Sequence, residues 1–378
     1  MVRAELFKQV EDRLSEGRVE EALALTDQIP ADDTDYKFVL FLKGNIYLWN
    51  EEYDQAQSYY RQALSNGFKA GDLYYNWAVA EMELSHYENA EELYRQAFEL
   101  APEDIAPLSQ IAQIRLWRKE FKGAEAVFEE MMEKFPEKYE GFHFLADMLI
   151  GSDNIEEAEA FLLPLEEQFS GNAVYVYDRS RVMSAKDQKE EAFYYLKERS
   201  HLFQGSDNHR YMYKKACGRL LMQIGDLNSA MPIWVDLFEN DGDHEAGTYL
   251  ISGAVSAGEY ELALETADRI MADAAHGKDY LLALYFKAVL LEVLGREEER
   301  QKAVELFENT VRSISDIEKD IEIVSLQVGV NMLCGKKEKS EVLLPEIEKR
   351  LMEHAGNDAG EVEQAQKIIA TLREQAGL

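Results

Sequence analysis

Tyr53–Leu64 reads YDQAQSYYRQAL and Tyr87–Phe98 reads YENAEELYRQAF, so the chain nearly repeats itself after 34 residues. Stepping by 34 from Ala56 lands on Ala22, Ala90, Ala124, Ala158 and Ala192, six alanines in one register. Three residues before them stand Val19, Tyr53, Tyr87, Phe121, Ile155 and Lys189. Four after them stand Thr26, Tyr60, Tyr94, Phe128, Leu162 and Leu196. That period is the length of one helix-turn-helix unit. Counting a unit from Gly71, positions 4, 8 and 11 share one face of its first helix, and positions 17, 20, 24 and 27 share one face of its second. A lone hairpin cannot bury both faces, so copies must stack, and the core grows by adding units. A small residue at position 8 and alanine at 20 let the backbones approach, while a bulky residue at 24 fills the gap toward the next unit.

Beyond Ala192 the spacing becomes 38, then 33, then 40, reaching Ala230, Ala263 and Ala303, and a last step of 37 reaches Ser340. Glycine closes the first helix in these later units, as Gly225, Gly258, Gly295 and Gly335, and Gly17 does so in the first. A left-handed residue is wanted there. Ten hairpins are expected, starting near residues 3, 37, 71, 105, 139, 173, 211, 244, 281 and 321. They divide into six in strict register over 3–204 and four irregular ones over 205–356, with a capping helix over 359–378. Pro164, Pro232 and Pro345 fall in second helices and should kink or shorten them. SHLFQGSDNHRY, from Ser200, breaks the register most clearly and reads as a four-residue loop insertion, with a hinge or a subdomain boundary as the alternatives.

The unit Gly71–Asp104 supplies Tyr74, Ala78, Tyr87, Ala90, Tyr94, Ala97 and Pro102 at the marked positions and departs only at Glu81. The unit from Lys37 supplies Leu40, Gly44, Tyr47, Tyr53, Ala56, Tyr60 and Ala63. This pattern resembles the tetratricopeptide repeat. The resemblance implies an all-α, right-handed superhelical solenoid of about ten such repeats with a C-terminal cap, and a concave inner surface that holds an extended or helical peptide.

Composition narrows the partners. A 46% hydrophobic and 11% aromatic content belongs to a folded chain despite 30% charged residues. With 73 acidic against 40 basic residues the formal charge is −33, which argues against nucleic acid and anionic membranes. Cys217 and Cys334 stand apart, neither with a second Cys at metal-ligand spacing, and read as reduced, packing thiols. The first residues carry charges every few positions with no apolar leader, and the run from Leu281 is interrupted by Lys287 and Glu292. A cytoplasmic protein without membrane insertion is expected. No phosphate-binding glycine loop, nucleophile elbow or zinc motif occurs, and no two of the seven histidines lie three or four residues apart. NDGDHE, from Asn240, lacks calcium-loop spacing and reads as an acidic connector. No cofactor, no metal and no catalysis are therefore expected.

What remains is surface. Position 5 of the first helix points away from the packing face, yet it reads Phe7, Phe41, Tyr75, Ser109, His143 and Tyr177, and position 13 adds Trp49 and Trp117. An exposed aromatic row marks a protein-binding face. The alternative is that neighbouring first helices cover these rings. Relatives that grip a chaperone's C-terminal carboxylate use two asparagines, matched here by Asn45 and Asn76. Their basic residues are replaced by Phe41, Ala106 and Gln110, so that clamp is absent. Glu11, Asp72, Glu83, Glu140, Asp147 and Asp178 should make the surface acidic, with Arg181, Lys215 and Arg219 reversing the sign farther along. The expected function is a non-enzymatic scaffold or adaptor taking a peptide or helix with basic and apolar residues on Phe7, Phe41, Asn45, Trp49, Tyr75, Asn76, Trp117, His143, Asp147 and Tyr177. Alternatives are a peptide-sensing regulator and an enzyme built on helical repeats.

Overall fold

A computed structural model of the chain describes residues 3–274, 277–313 and 321–334, with isolated positions at 344–345, 348–349, 352, 366, 369–370 and 373. Among the described residues every regular element is a helix. The first hairpins pair α1 (Arg3–Ser15) with α2 (Val19–Asp27), α3 (Tyr36–Trp49) with α4 (Tyr53–Ser65), and α5 (Gly71–Glu83) with α6 (Tyr87–Leu100). Then come α7 (Ala106–Trp117) with α8 (Phe121–Lys134), and α9 (Glu140–Gly151) with α10 (Ile155–Leu162). After α11 (Glu166–Phe169) follow α12 (Ala173–Ala185) and α13 (Lys189–Glu198). Farther on, α14 (Asp207–Ile224) pairs with α15 (Leu227–Asp241), α16 (His244–Ala257) with α17 (Tyr260–Asp273), and α18 (Lys278–Val293) with α19 (Glu297–Ser313). α20 (Ile321–Leu333) follows. The second helix of the tenth hairpin, Gly335 and the cap over 359–378 lie outside the described residues, those isolated positions apart. So does the chain around Pro345. The chain forms two compact units, Met1–Val182 and Met183–Leu378.

The alanine register is the buried axis of the hairpins. Ala22, Ala56, Ala90, Ala124, Ala158, Ala192, Ala230 and Ala263 are all 0% exposed. Four residues on, Thr26, Tyr60, Tyr94, Phe128, Leu162, Leu196, Trp234, Ala267 and Phe307 are buried as well. Size is traded between positions 8 and 24. Gly44 faces the Tyr60 ring, and a Cβ on Gly218 would lie 2.8 Å from Trp234 Cζ2, whereas Ile251 occupies position 8 in the unit whose position 24 is Ala267. Rings at position 24 thus occur where position 8 is glycine or, with Tyr94 and Phe128, an alanine, as close packing requires.

Every described turn between paired helices uses one left-handed residue, whatever its identity. Gly17, Gly225, Gly258 and Gly295 have φ of 72, 89, 77 and 68°. At the same place Glu51, Ser85, Lys119, Asp153 and Asp187 adopt φ of 60, 60, 59, 60 and 63°. Glycine made this position visible in the sequence only where glycine occurs.

Of three local expectations, one holds and two need correction. Pro164 does end its helix: α10 stops at Leu162 and the chain continues through a 3-10 turn, Leu163–Leu165. Pro232 does not shorten α15, which runs through it for 15 residues. It sits near the start of the helix, and the carbonyl it cannot serve belongs to exposed Asn228, where water can take the bond. The register break at Ser200 is not a loop but a 3-10 helix, Ser200–Gly205, which buries Phe203 against Tyr213 at 5.2 Å. Ser206 then caps α14 by accepting from the His209 N–H at 3.1 Å.

Candidate functional site

The ten sequence-predicted surface residues sort into three groups, all on first helices of the unit Met1–Val182. Phe7, Phe41, Asn45, Tyr75 and Asn76 converge on one pocket of about 390 Å3, which Asp72, Asp104 and the end of α6 at Ala97 and Ala101 complete. Position 5 brings the three rings there because the first helices α1, α3 and α5 lie side by side. Phe41, expected on the wet side, is buried. It stacks on Phe68 at 5.0 Å and tilts against Phe38 and Tyr60, because the residues after α4 fold back over it. Phe7 and Tyr75 are half-buried, and Tyr75 meets Tyr94 edge-on at 5.2 Å.

The two asparagines are tied to each other. Asn45 Oδ1 accepts from the Tyr60 hydroxyl at 3.0 Å and from Asn76 Nδ2 at 3.0 Å. The first bond supplies the partner that a fully buried phenol needs, and burial pushes the Tyr60 phenol far above its usual range. The second bond links neighbouring hairpins and leaves Asn45 Nδ2 and Asn76 Oδ1 for something else. Burial first, and then the charge of Asp104, also raise Tyr75. Asp104 escaped the sequence reading, although its place before α7 was a signal: its Oδ1 accepts from the Ala106 N–H at 3.0 Å.

Trp49 and Trp117 form the second group. Each is 62% exposed at the end of its helix and lies outside the pocket.

His143, Asp147 and Tyr177 form the third, around an acid misjudged from sequence. Asp178 is not a surface charge but is fully buried. Its Oδ2 accepts from the Tyr139 hydroxyl at 3.0 Å and pairs with His143 Nδ1 at 2.8 Å. Burial opposes charging of His143, but its hydrogen bond to Asp178, with the charges of Asp178 and Asp147, outweighs this and raises its pKa. Arg181 bonds Asp147 at 2.6 Å and lies 5.5 Å from the centre of the Tyr177 ring.

The expected reversal of charge is not realised, because its three cations are already paired. Arg181 serves Asp147 and Asp178. In the other unit Lys215 holds Asp243 and Glu245, each at 2.9 Å, and Arg219 grips Glu245. NDGDHE joins α15 to α16, and two of its acids are held by these cations. Asp243 caps α16 by accepting from the Ala246 N–H and takes the Tyr211 hydroxyl at 2.7 Å. Glu81, the departure from the repeat pattern, is buried with its own donors, Trp77 Nε1 at 3.1 Å and Asn89 Nδ2 at 3.4 Å, and His86 Nδ1 lies 2.8 Å away.

Cys217 is buried, and burial pushes its thiol up to about 11. Among the described residues no group of three or more His, Cys, Asp or Glu is placed to hold a metal ion, and no helix is long and apolar enough to cross a membrane.

A sequence model of the tetratricopeptide repeat family matches residues 39–66 and 71–104. No curated protein matches the sequence. Among solved structures, a tetratricopeptide repeat protein from Parabacteroides merdae is similar, with TM-score 0.46 and 18% identity over 61% of this chain and 90% of that one. TTC0263, a thermophilic repeat protein of Thermus thermophilus, overlays with TM-score 0.40 and 19% identity over 49% of this chain and all of that one. The Naa15/Naa10 structure bound to HypK-THB covers 99% of this chain at TM-score 0.38 and 15% identity, and this chain spans 64% of the length of that one.

Proposed function

We propose that this chain, two of whose hairpins match the tetratricopeptide repeat, is a non-enzymatic scaffold or adaptor. It holds a peptide or helical segment of a protein partner on the first helices of the unit Met1–Val182. The observation that carries this reading is the pocket that gathers Phe7, Tyr75 and two half-used asparagine amides beside carboxylates. Half-buried rings give a partner apolar area at little conformational cost. Asn45 Nδ2 and Asn76 Oδ1 offer one donor and one acceptor to a main chain. Trp49 and Trp117, open to solvent, extend the apolar contact along the neighbouring helix ends.

The carboxylates and the formal charge of −33 favour a segment with basic as well as apolar residues. Nucleic acid is disfavoured by the same charge. The cytoplasm, with two free thiols and no disulfide among the described residues, suits this reading.

The reading is tested by cross-linked capture from cytosol at low and high salt, comparing wild type with the double variant Tyr75→Ala/Trp117→Ala. The same proteins should be caught at both salt levels by the wild type and be lost by the variant. An identical catch from the variant would move the binding face elsewhere.

A further inference from the structure

The pocket on α1, α3 and α5 has more hydrogen-bond acceptors than donors. Asp72 and Asp104 have no cation partner among the described residues, and Asn76 Oδ1 takes no donor. Several other acids of the unit do have a cation partner. Asp27 has Lys43, Glu91 has Arg115, Glu130 has Arg95, and Asp147 has Arg181. The repeats supply a cation to those acids from a neighbouring helix, and at this pocket they supply none. The end of α6 adds the negative pole of a helix, since Ala97 and Ala101 line the same space. The walls beside the acids are the rings of Phe7 and Tyr75, neither of which is fully covered.

Acceptors on one side and ring faces on the other describe the surroundings that a planar cation seeks. A guanidinium stacks on an aromatic face and still presents five N–H donors in its plane, whereas an ammonium is a compact, strongly hydrated point charge. We propose that this pocket seats one arginine side chain of the bound protein segment. Its guanidinium lies against Phe7 and Tyr75 and donates to the carboxylates of Asp72 and Asp104 and to Asn76 Oδ1. The assignment rests on the reading of this face as the partner-binding surface, and adds which residue of the partner is read.

Three N-acetylated, C-amidated eight-residue peptides of leucine and alanine test it, differing only in one central residue: arginine, lysine or citrulline. Citrulline keeps the shape of arginine without the charge. Binding to the full chain is followed by fluorescence anisotropy of a labelled peptide. The arginine peptide should bind about tenfold tighter than the citrulline peptide and several-fold tighter than the lysine peptide. Asp72→Asn/Asp104→Asn should erase that preference, and both sites are exposed, so the fold is kept. Equal binding of arginine and citrulline would overturn the assignment. So would a preference that survives in the double variant. In both cases the face reading stands if Tyr75→Ala still weakens the peptides. Absence of saturable binding by all three peptides would sink the assignment and the face reading together.

Discussion

At the turn of each hairpin, a left-handed backbone is cheap for glycine and costs about 1–2 kcal/mol for a residue with a Cβ. Ser85 sits there at φ 60° and is exposed, so the strain is offset only by what the turn achieves for the stack. Ser85→Gly should therefore raise the unfolding free energy by about 1 kcal/mol in urea titrations. An unchanged or lowered value would show that this turn is not strained. His143 gives a second residue-scale prediction, of opposite character. Its folded pKa is raised above the ordinary 6.5 by the bond to Asp178. Its contribution to stability is therefore fully present below about 6.5 and is lost as pH rises through the raised value. His143→Gln should flatten that part of the stability-pH profile. The C2 proton of His143 should titrate above 6.5 in the wild type, and titration below it would contradict the ion pair.

Helices pack in this chain by exchange of volume between position 8 of the first and position 24 of the second. Gly44→Ala would drive a methyl into the Tyr60 ring and should cost about 1–3 kcal/mol. Gly44→Ala/Tyr60→Leu should recover part of that loss in thermal melts, because the smaller side chain reopens the space. If the double variant is no better than the sum of the single changes, the two positions do not share one space. This same exchange explains what could be read from sequence. The alanine register exposed the hairpins because a buried alanine at every crossing is a packing requirement. It said nothing of whether Phe41 would be covered, since its cover, Phe68, stands where the pattern has a proline, as at Pro102. Nor did it show that Lys215 and Arg219 are spent on Asp243 and Glu245, more than twenty residues away on the next first helix. Side chains that answer an irregular neighbour leave no periodic trace.

For the molecule as a whole, repetition solves the problem of burial, and the surfaces of the first helices are its by-product. A charge of −33 makes that surface attract basic segments and makes encounter depend on salt. The aromatic contacts should depend on salt very little. The central claim is that Tyr75 and its neighbours bind a protein segment, and a peptide chosen by the chain itself tests it most directly. Twelve-residue peptides are selected from a displayed random library on the full chain, and the affinity of the best one is measured by calorimetry for wild type and for Tyr75→Ala. The account predicts loss of about tenfold or more in affinity, equivalent to more than about 1.4 kcal/mol, with the helical circular dichroism of the free protein unchanged. A variant that melts early while its folded fraction binds the peptide as tightly as wild type would contradict it, and Tyr75 would then serve only to pack one repeat against the next.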